Sequence, residues 1–166
     1  MTVRVTKDKV KEILATIKAL TSKEVLVGVP QASADRDPEP GETEQPPTNA
    51  EIGYWMEFGI PEKNIPARPF LVPGVETVLD KAVARLKKAG VKALEGDLSQ
   101  VDMQMTAVGL EAVSAVQQKI VDGPFIPLAP LTLARRKARG RTGEKPLLDT
   151  GSLRQAITYV IAKKER

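Results

Sequence analysis

The segment IPARPF, residues 65 to 70, sets a proline on each side of a single arginine. Pro66 and Pro69 fix their own φ and push Ile65 and Arg68 out of the helical region, so the chain must run extended here and turn an elbow. The elbow sits inside residues 49 to 74, which hold the only Trp, one of two Tyr and two of three Phe. Before it, NAEIGYWMEFG predicts a helix of about two and a half turns. Asn49 is the expected N-cap, Ile52, Trp55, Met56 and Phe58 lie on a broad apolar side, and Gly59 terminates it. Trp55, Phe58 and Phe70 are expected to lock the elbow as one cluster. An arginine held between two prolines loses little entropy on pairing with a carboxylate. Arg68 therefore either fastens the elbow to its own fold, through Glu57, or reaches a neighbouring subunit.

Helical spacing of Val10, Ile13, Leu14, Ile17 and Leu20 predicts an amphipathic helix over 7–20, with Thr6 as N-cap and Asp8 in its first turn. EVLVGVP, residues 24 to 30, predicts a strand with Val25, Val27 and Val29 on one face, ended by Pro30. Residues 31 to 48 carry no large apolar side chain and are rich in Pro, Glu and Asp. Only about thirty residues precede them, too few for a separate core, so they form a long loop within one domain, 1–166. After the elbow, Pro73 marks a helix start. Val75, Val78, Leu79, Ala82, Val83 and Leu86 form a core-facing stripe up to Gly90, the expected C-cap. Gly96 and Ser99 then break and cap. A second long helix turns Val101, Met105, Val108, Ala112, Ala115 and Ile120 inward and stops at DGPF. Leu131 to Ala138 predicts a short basic helix, Gly140 to Pro146 a loop, and Asp149 or Thr150 a cap. AITYVIA predicts a last strand, antiparallel to the first, giving an α+β fold in which helices pack on a small sheet.

The chain has no cysteine and no histidine. That removes disulfides, thiolate nucleophiles, Ser-His-Asp triads and His-ligated metals. Only carboxylates, Lys or Tyr remain for catalysis, and no cofactor or metal site is expected. No run approaches the roughly 18 apolar residues of a membrane span, and the first residues lack a signal-peptide core, so a cytoplasmic origin and no membrane contact are expected. The net charge of +4 is unevenly spread. Gln31 to Ala50 holds five acids against one Arg, whereas Arg135 to Lys145 holds six bases against Glu144. Each block is either a solvated segment or a contact with partner protein or passing DNA.

Two motifs then carry a resemblance. A-x-I-G-x-x-x-E-F-G followed by I-P-A-R-P-F-L, and PLAPLTLARRKARG leading to KPLLDTGSLRQAITYVI, resemble the tail-completion or neck protein family of tailed bacteriophages, also described as phage virion morphogenesis or tail-component proteins. With VLVGV before the first motif and a long helix between them, the likeness covers most of the chain after residue 24. That family often carries His before Glu-Phe-Gly; here the place is Met56, which is assigned to packing. The resemblance implies a structural, non-enzymatic virion protein at the head–tail junction, in a homo-oligomeric ring around the DNA channel, sixfold rather than twelvefold. Implied partners are the other neck and tail proteins, namely the connector, the tail terminator and the tail tube, with non-specific contact to DNA in the channel. Trp55, Glu57, Phe58, Arg68, Phe70, Arg135, Arg136, Arg139 and Arg141 are the candidate interface residues, the arginines meeting acidic surface on an adjacent subunit or facing the DNA.

Two other readings compete. A nucleic-acid-binding module would use 135–145 as its footprint, although no binding motif accompanies it. A carboxylate-based hydrolase would need two facing acids in a cleft. Having no apolar anchors, 31–48 is expected to be mobile in the free protein until a neighbour covers it, so limited proteolysis should cut there first, and resistance across that stretch in a monomer would refute this mobility.

Overall fold

The computed structural model describes residues 9–31, 35–38 and 46–164. In chain order the elements are α1 (Val10–Thr21), β1 (Lys23–Gly28), α2 (Asn49–Phe58), α3 (Leu71–Glu76), α4 (Leu79–Leu94), α5 (Ser99–Asp122), α6 (Pro130–Ala138), α7 (Ser152–Ala156) and β2 (Thr158–Lys163). The class is α+β, as the patterning predicts. β1 and β2 pair antiparallel, with Lys23 opposite Lys163 and Gly28 opposite Thr158.

α5 is the spine. Val101, Met105, Val108, Ala112, Val116 and Ile120 recur every three or four residues and are all buried, while Ala115 sits at the border of the stripe and Val116 takes the central place expected of it. One core cluster gathers Phe70, Val116, Ile120, Leu153 and Ile157, with Val27 and Met56 packed against it. A smaller one joins Ala93, Val101 and Met105 to Leu20, Val25 and Ile161. Val25 and Val27 face inward as period two requires, and Leu26 and Val160, paired across the strands, face out.

Several boundaries differ from the sequence reading. Thr6 and Asp8 lie outside the described residues, and Lys9 occupies the N-cap of α1. Gly90 is not a C-cap: α4 runs through it to Leu94. The apolar stripe of α4 also divides. Ala89 and Ala93 are buried, whereas Leu79, Val83 and Leu86 are exposed. Small residues let two helix backbones approach closely, so α4 lies on α5 through its alanines and its larger side chains are left at the flank. Asn49 is not the cap of α2. Thr48 is, in a capping box with Glu51: Glu51 N–H donates to Thr48 Oγ1 at 3.2 Å and Thr48 N–H to Glu51 Oε2 at 2.8 Å. The Thr48 backbone N–H and hydroxyl hold the Glu51 carboxyl below the usual carboxylate range. Before α7, Gly151 takes φ +83°, Thr150 Oγ1 accepts from Ser152 N–H at 3.3 Å, and Asp149 is engaged elsewhere.

Of the 31–48 loop, 32–34 and 39–45 lie outside the described residues. Its described parts are tied down: Arg36 Nε donates to Pro47 O at 2.9 Å, and Asn49 Nδ2 to Asp35 O at 3.4 Å.

α3 packs closely on α5 through Gly74. A methyl group on Gly74 would come within 2.7 Å of Val116 Cα, a backbone atom that cannot yield without moving the helix. Gly74→Ala is therefore expected to destabilise by about 1 to 3 kcal/mol. Gly90→Ala meets nothing within 4 Å and lies inside α4, so it is expected to be neutral or to stabilise by up to about 1 kcal/mol. Thermal midpoints of the two variants test both signs.

Candidate functional site

α2 ends at Gly59, whose φ of +76° lets the chain reverse; any Cβ there would lie 2.8 Å from Ala67 N. Ile60 and Ile65 then exchange backbone hydrogen bonds of 2.8 and 3.0 Å, closing a tight loop, and Arg68 N–H donates to Met56 O at 2.6 Å. The elbow is thus laid back against the last turn of α2.

That return places the N-terminus of α3 over Glu57. The buried carboxylate accepts three backbone N–H groups, from Phe70 at 2.7 Å and Leu71 at 2.8 Å through Oε2, and from Val72 at 3.0 Å through Oε1. The opening N–H groups of a helix have no partner within it and carry its positive dipole end, so an anion is the natural acceptor. Arg68 fastens the elbow to its own fold, as the self-contained alternative has it, but not through Glu57. Arg68, 6% exposed, instead sends Nε to Ile126 O at 2.8 Å and Nη2 to Pro127 O at 3.0 Å. Residues 126–129 run outside any helix or strand, so their carbonyls have no ladder partner and the guanidinium supplies one. Burial, and secondarily the charge of Arg136, pull the Arg68 pKa below its ordinary value.

The second motif answers with the same device. Arg136, 8% exposed on α6, directs Nη1 to the carbonyls of Gly143, Lys145 and Leu148 at 2.9, 3.0 and 3.3 Å. Its Nε lies 3.4 Å from Asp149 Oδ1, and Arg141 Nη1 donates to Asp149 Oδ2 at 2.9 Å. Arg136 and Arg141 are therefore internal fasteners of the 140–149 loop, not the solvated interface cations expected from charge density.

The two motifs meet around a cleft of about 390 Å³. Its walls include Ile52 and Met56 of α2, Pro66 and Arg68 of the elbow, Thr132, Arg136 and Arg139 of α6 and its end, 149–151 before α7, and Ser152 and Leu153 at its start. Asn49, the first residue of α2, accepts from Ser152 Oγ at 3.1 Å and so ties α2 to α7.

The structure brings Arg68, Arg136 and Arg139 together on the cleft, and separately joins Glu57 to the backbone of Phe70. It does not bring Trp55, Phe58 and Phe70 into one cluster. Phe70 is 2% exposed in the core. Phe58 is 62% exposed and stacks on Tyr54 with ring centroids 4.8 Å apart, and Trp55 is half-buried beneath Lys63 Nζ at 5.9 Å. The reason is period: Phe58 falls four residues after Tyr54, on the face of α2 opposite Gly53, which packs toward Phe70 and Leu153. Arg135 lies exposed on α6. Arg36 was missed, though as the one base within the acidic stretch it carries a signal. Among the described residues no group of three or more acidic side chains could hold a metal ion.

Comparison of the chain with protein-family models, with curated proteins and with solved structures yields no match.

Because Glu57 answers three N–H groups in a buried place, Glu57→Ala is expected to lower stability by about 3 kcal/mol or more, and Arg136→Ser by about 2 to 4 kcal/mol. Arg135→Ser should stay within about 0.5 kcal/mol of the parent. Denaturant unfolding of the three variants measures this order, and an Arg136→Ser protein as stable as Arg135→Ser would refute the internal role.

Proposed function

We propose that this chain is a structural virion protein of the head–tail junction of a tailed bacteriophage, working as one subunit of a ring around the DNA channel. The observation that carries the oligomeric part is α1. Its apolar stripe packs on the core at Leu20, but Val10, Ile13, Leu14 and Ile17 are 43 to 60% exposed, and the helix has no fully buried residue. Helices in globular proteins take most of their stability from packing an apolar face, so a stripe left bare in the single chain calls for cover from a neighbour. Each strand of the sheet also has a hydrogen-bonded neighbour on one side only among the described residues. The virion part rests on the two motifs, which lie about 60 residues apart in sequence and build one site, as segments of one family signature would. No helix among the described residues is long and apolar enough to cross a membrane.

The nucleic-acid alternative draws on the six bases of 135–145. Arg136 and Arg141 are engaged within the chain, which leaves that footprint smaller than its composition suggests.

Native mass spectrometry of the full chain tests the reading. A closed ring, with a mass of six or twelve subunits, is expected, and Ile13→Glu with Leu14→Glu should reduce it to monomer while circular dichroism stays unchanged, since both residues are exposed in the single chain. A parent protein that is monomeric at all concentrations and fails to restore head–tail joining in a phage lacking its own junction protein would refute the proposal.

A further inference from the structure

Glycine inside a helix is destabilising relative to alanine, so an interior glycine calls for a reason. In α2, α3 and α5 the chain's own packing gives one. A Cβ on Gly53 would touch Leu153 Cδ1 at 3.4 Å, one on Gly74 would lie 2.7 Å from Val116 Cα, and one on Gly109 would run into the ring of Tyr159. Gly90 in α4 has no such neighbour: a Cβ there meets nothing within 4 Å, and its φ is not positive, so no turn requires it. Gly90 also falls on an exposed apolar flank. Leu79, Val83, Leu86, Gly90 and Leu94 recur every three or four residues along α4, and the four large side chains are 36 to 58% exposed. The glycine leaves a notch in this ridge, the shape into which a side chain of a second helix packs.

A ring closes through two different patches of each subunit, one donated and one receiving, whereas α1 laid on α1 would close a two-fold dimer. The α4 flank matches α1 as its receiver. Ile13, Leu14 and Ile17 form a ridge of the same helical spacing and are 43 to 60% exposed, while α1 reaches its own core through Leu20, beside Ala93. The borders of the two ridges are complementary in charge. Asp80 lies three residues before Val83, and Lys11 and Lys18 lie three before and four after Leu14, each on the border of its ridge. None of these three has an ion-pair partner among the described residues. We propose that α1 of one copy docks on the α4 flank of the next copy, with an apolar side chain of α1 in the notch at Gly90 and Asp80 facing Lys11 or Lys18. This contact names the surface that receives α1 in the ring proposed above, and it rests on that reading.

The chain has no cysteine, so introduced thiols report the contact directly. Full chains carrying Leu14→Cys are co-expressed with chains carrying Leu79→Cys, Val83→Cys or Leu86→Cys and treated with a short bismaleimide. A covalent dimer is expected in at least one mixture and with Leu14→Cys alone in none. Equal yield when the second chain carries Val160→Cys, exposed on the sheet, overturns the proposal, and dimers of Leu14→Cys alone overturn it in favour of α1 against α1. Native mass spectrometry of the parent keeps the two readings apart. A parent ring without mixed crosslinks overturns this contact and leaves the ring standing, whereas a monomeric parent overturns the ring and this contact with it. Gly90→Gln, at a site open in the single chain, should leave circular dichroism unchanged and weaken subunit association at least about tenfold. Association as tight as the parent's in that variant would also overturn the proposal.

Discussion

The carboxylate of Glu57 is the point on which the elbow depends. Burying an ionised carboxylate without partners is strongly unfavourable, and among the described residues no cation pairs with this one. Three backbone N–H groups at the start of α3 do so instead. The exchange works in both directions: the carboxylate gains donors in a desolvated place, and a six-residue helix, too short to be stable alone, gains a fixed origin. From that origin the rest follows. Phe70 is set in the core, Gly74 is brought against the backbone of Val116, and Arg68 is turned toward 126–127.

Arg68 and Arg136 solve one problem by one means. Each stands beside a stretch of chain with no regular structure, and each satisfies its carbonyls from a buried guanidinium. Irregular backbone can be kept inside a fold only if its polar groups are answered, and an arginine fork answers two or three at once. Carbonyls, unlike carboxylates, leave the positive charge in place. At Arg136 the Asp149 carboxylate offsets that charge, whereas Arg68 meets neutral carbonyls. The same residues hold the loops and shape what the cleft can receive.

Periodicity made most of the elements legible. The apolar stripes of α1 and α5 and the alternation of β1 are plain in the sequence, and so is the antiparallel pairing with β2. What periodicity does not state is which surface covers a stripe. Leu79, Val83 and Leu86 repeat as core residues do, yet α4 meets α5 through Ala89 and Ala93, because close approach favours the small side chains. The candidate site was legible in its members more than in its bonds. Glu57, Arg68 and Phe70 stand out beside the prolines, and Arg136 and Arg139 by their density. That Arg68 and Arg136 would choose main-chain carbonyls was hidden, since every residue carries a carbonyl and only the fold shows which ones lack a partner. Phe58 misled because aromatic content suggests burial, while its place on the helix turns it to Tyr54 and solvent.

Two surfaces stand out among the described residues, and they differ in kind. The stripe of α1 is apolar and regular, the sort of face a folded neighbour covers by packing. The cleft is concave and irregular in outline, with polar and apolar walls. They are carried by different elements, since neither α1 nor α4 contributes to the cleft. In the ring proposed above, a contact through α1 would leave the residues of the cleft uninvolved. An assembly in which identical subunits surround a channel and also attach to what lies above or below it needs such a separation, because self-association that used every surface would block attachment wherever a ring closed.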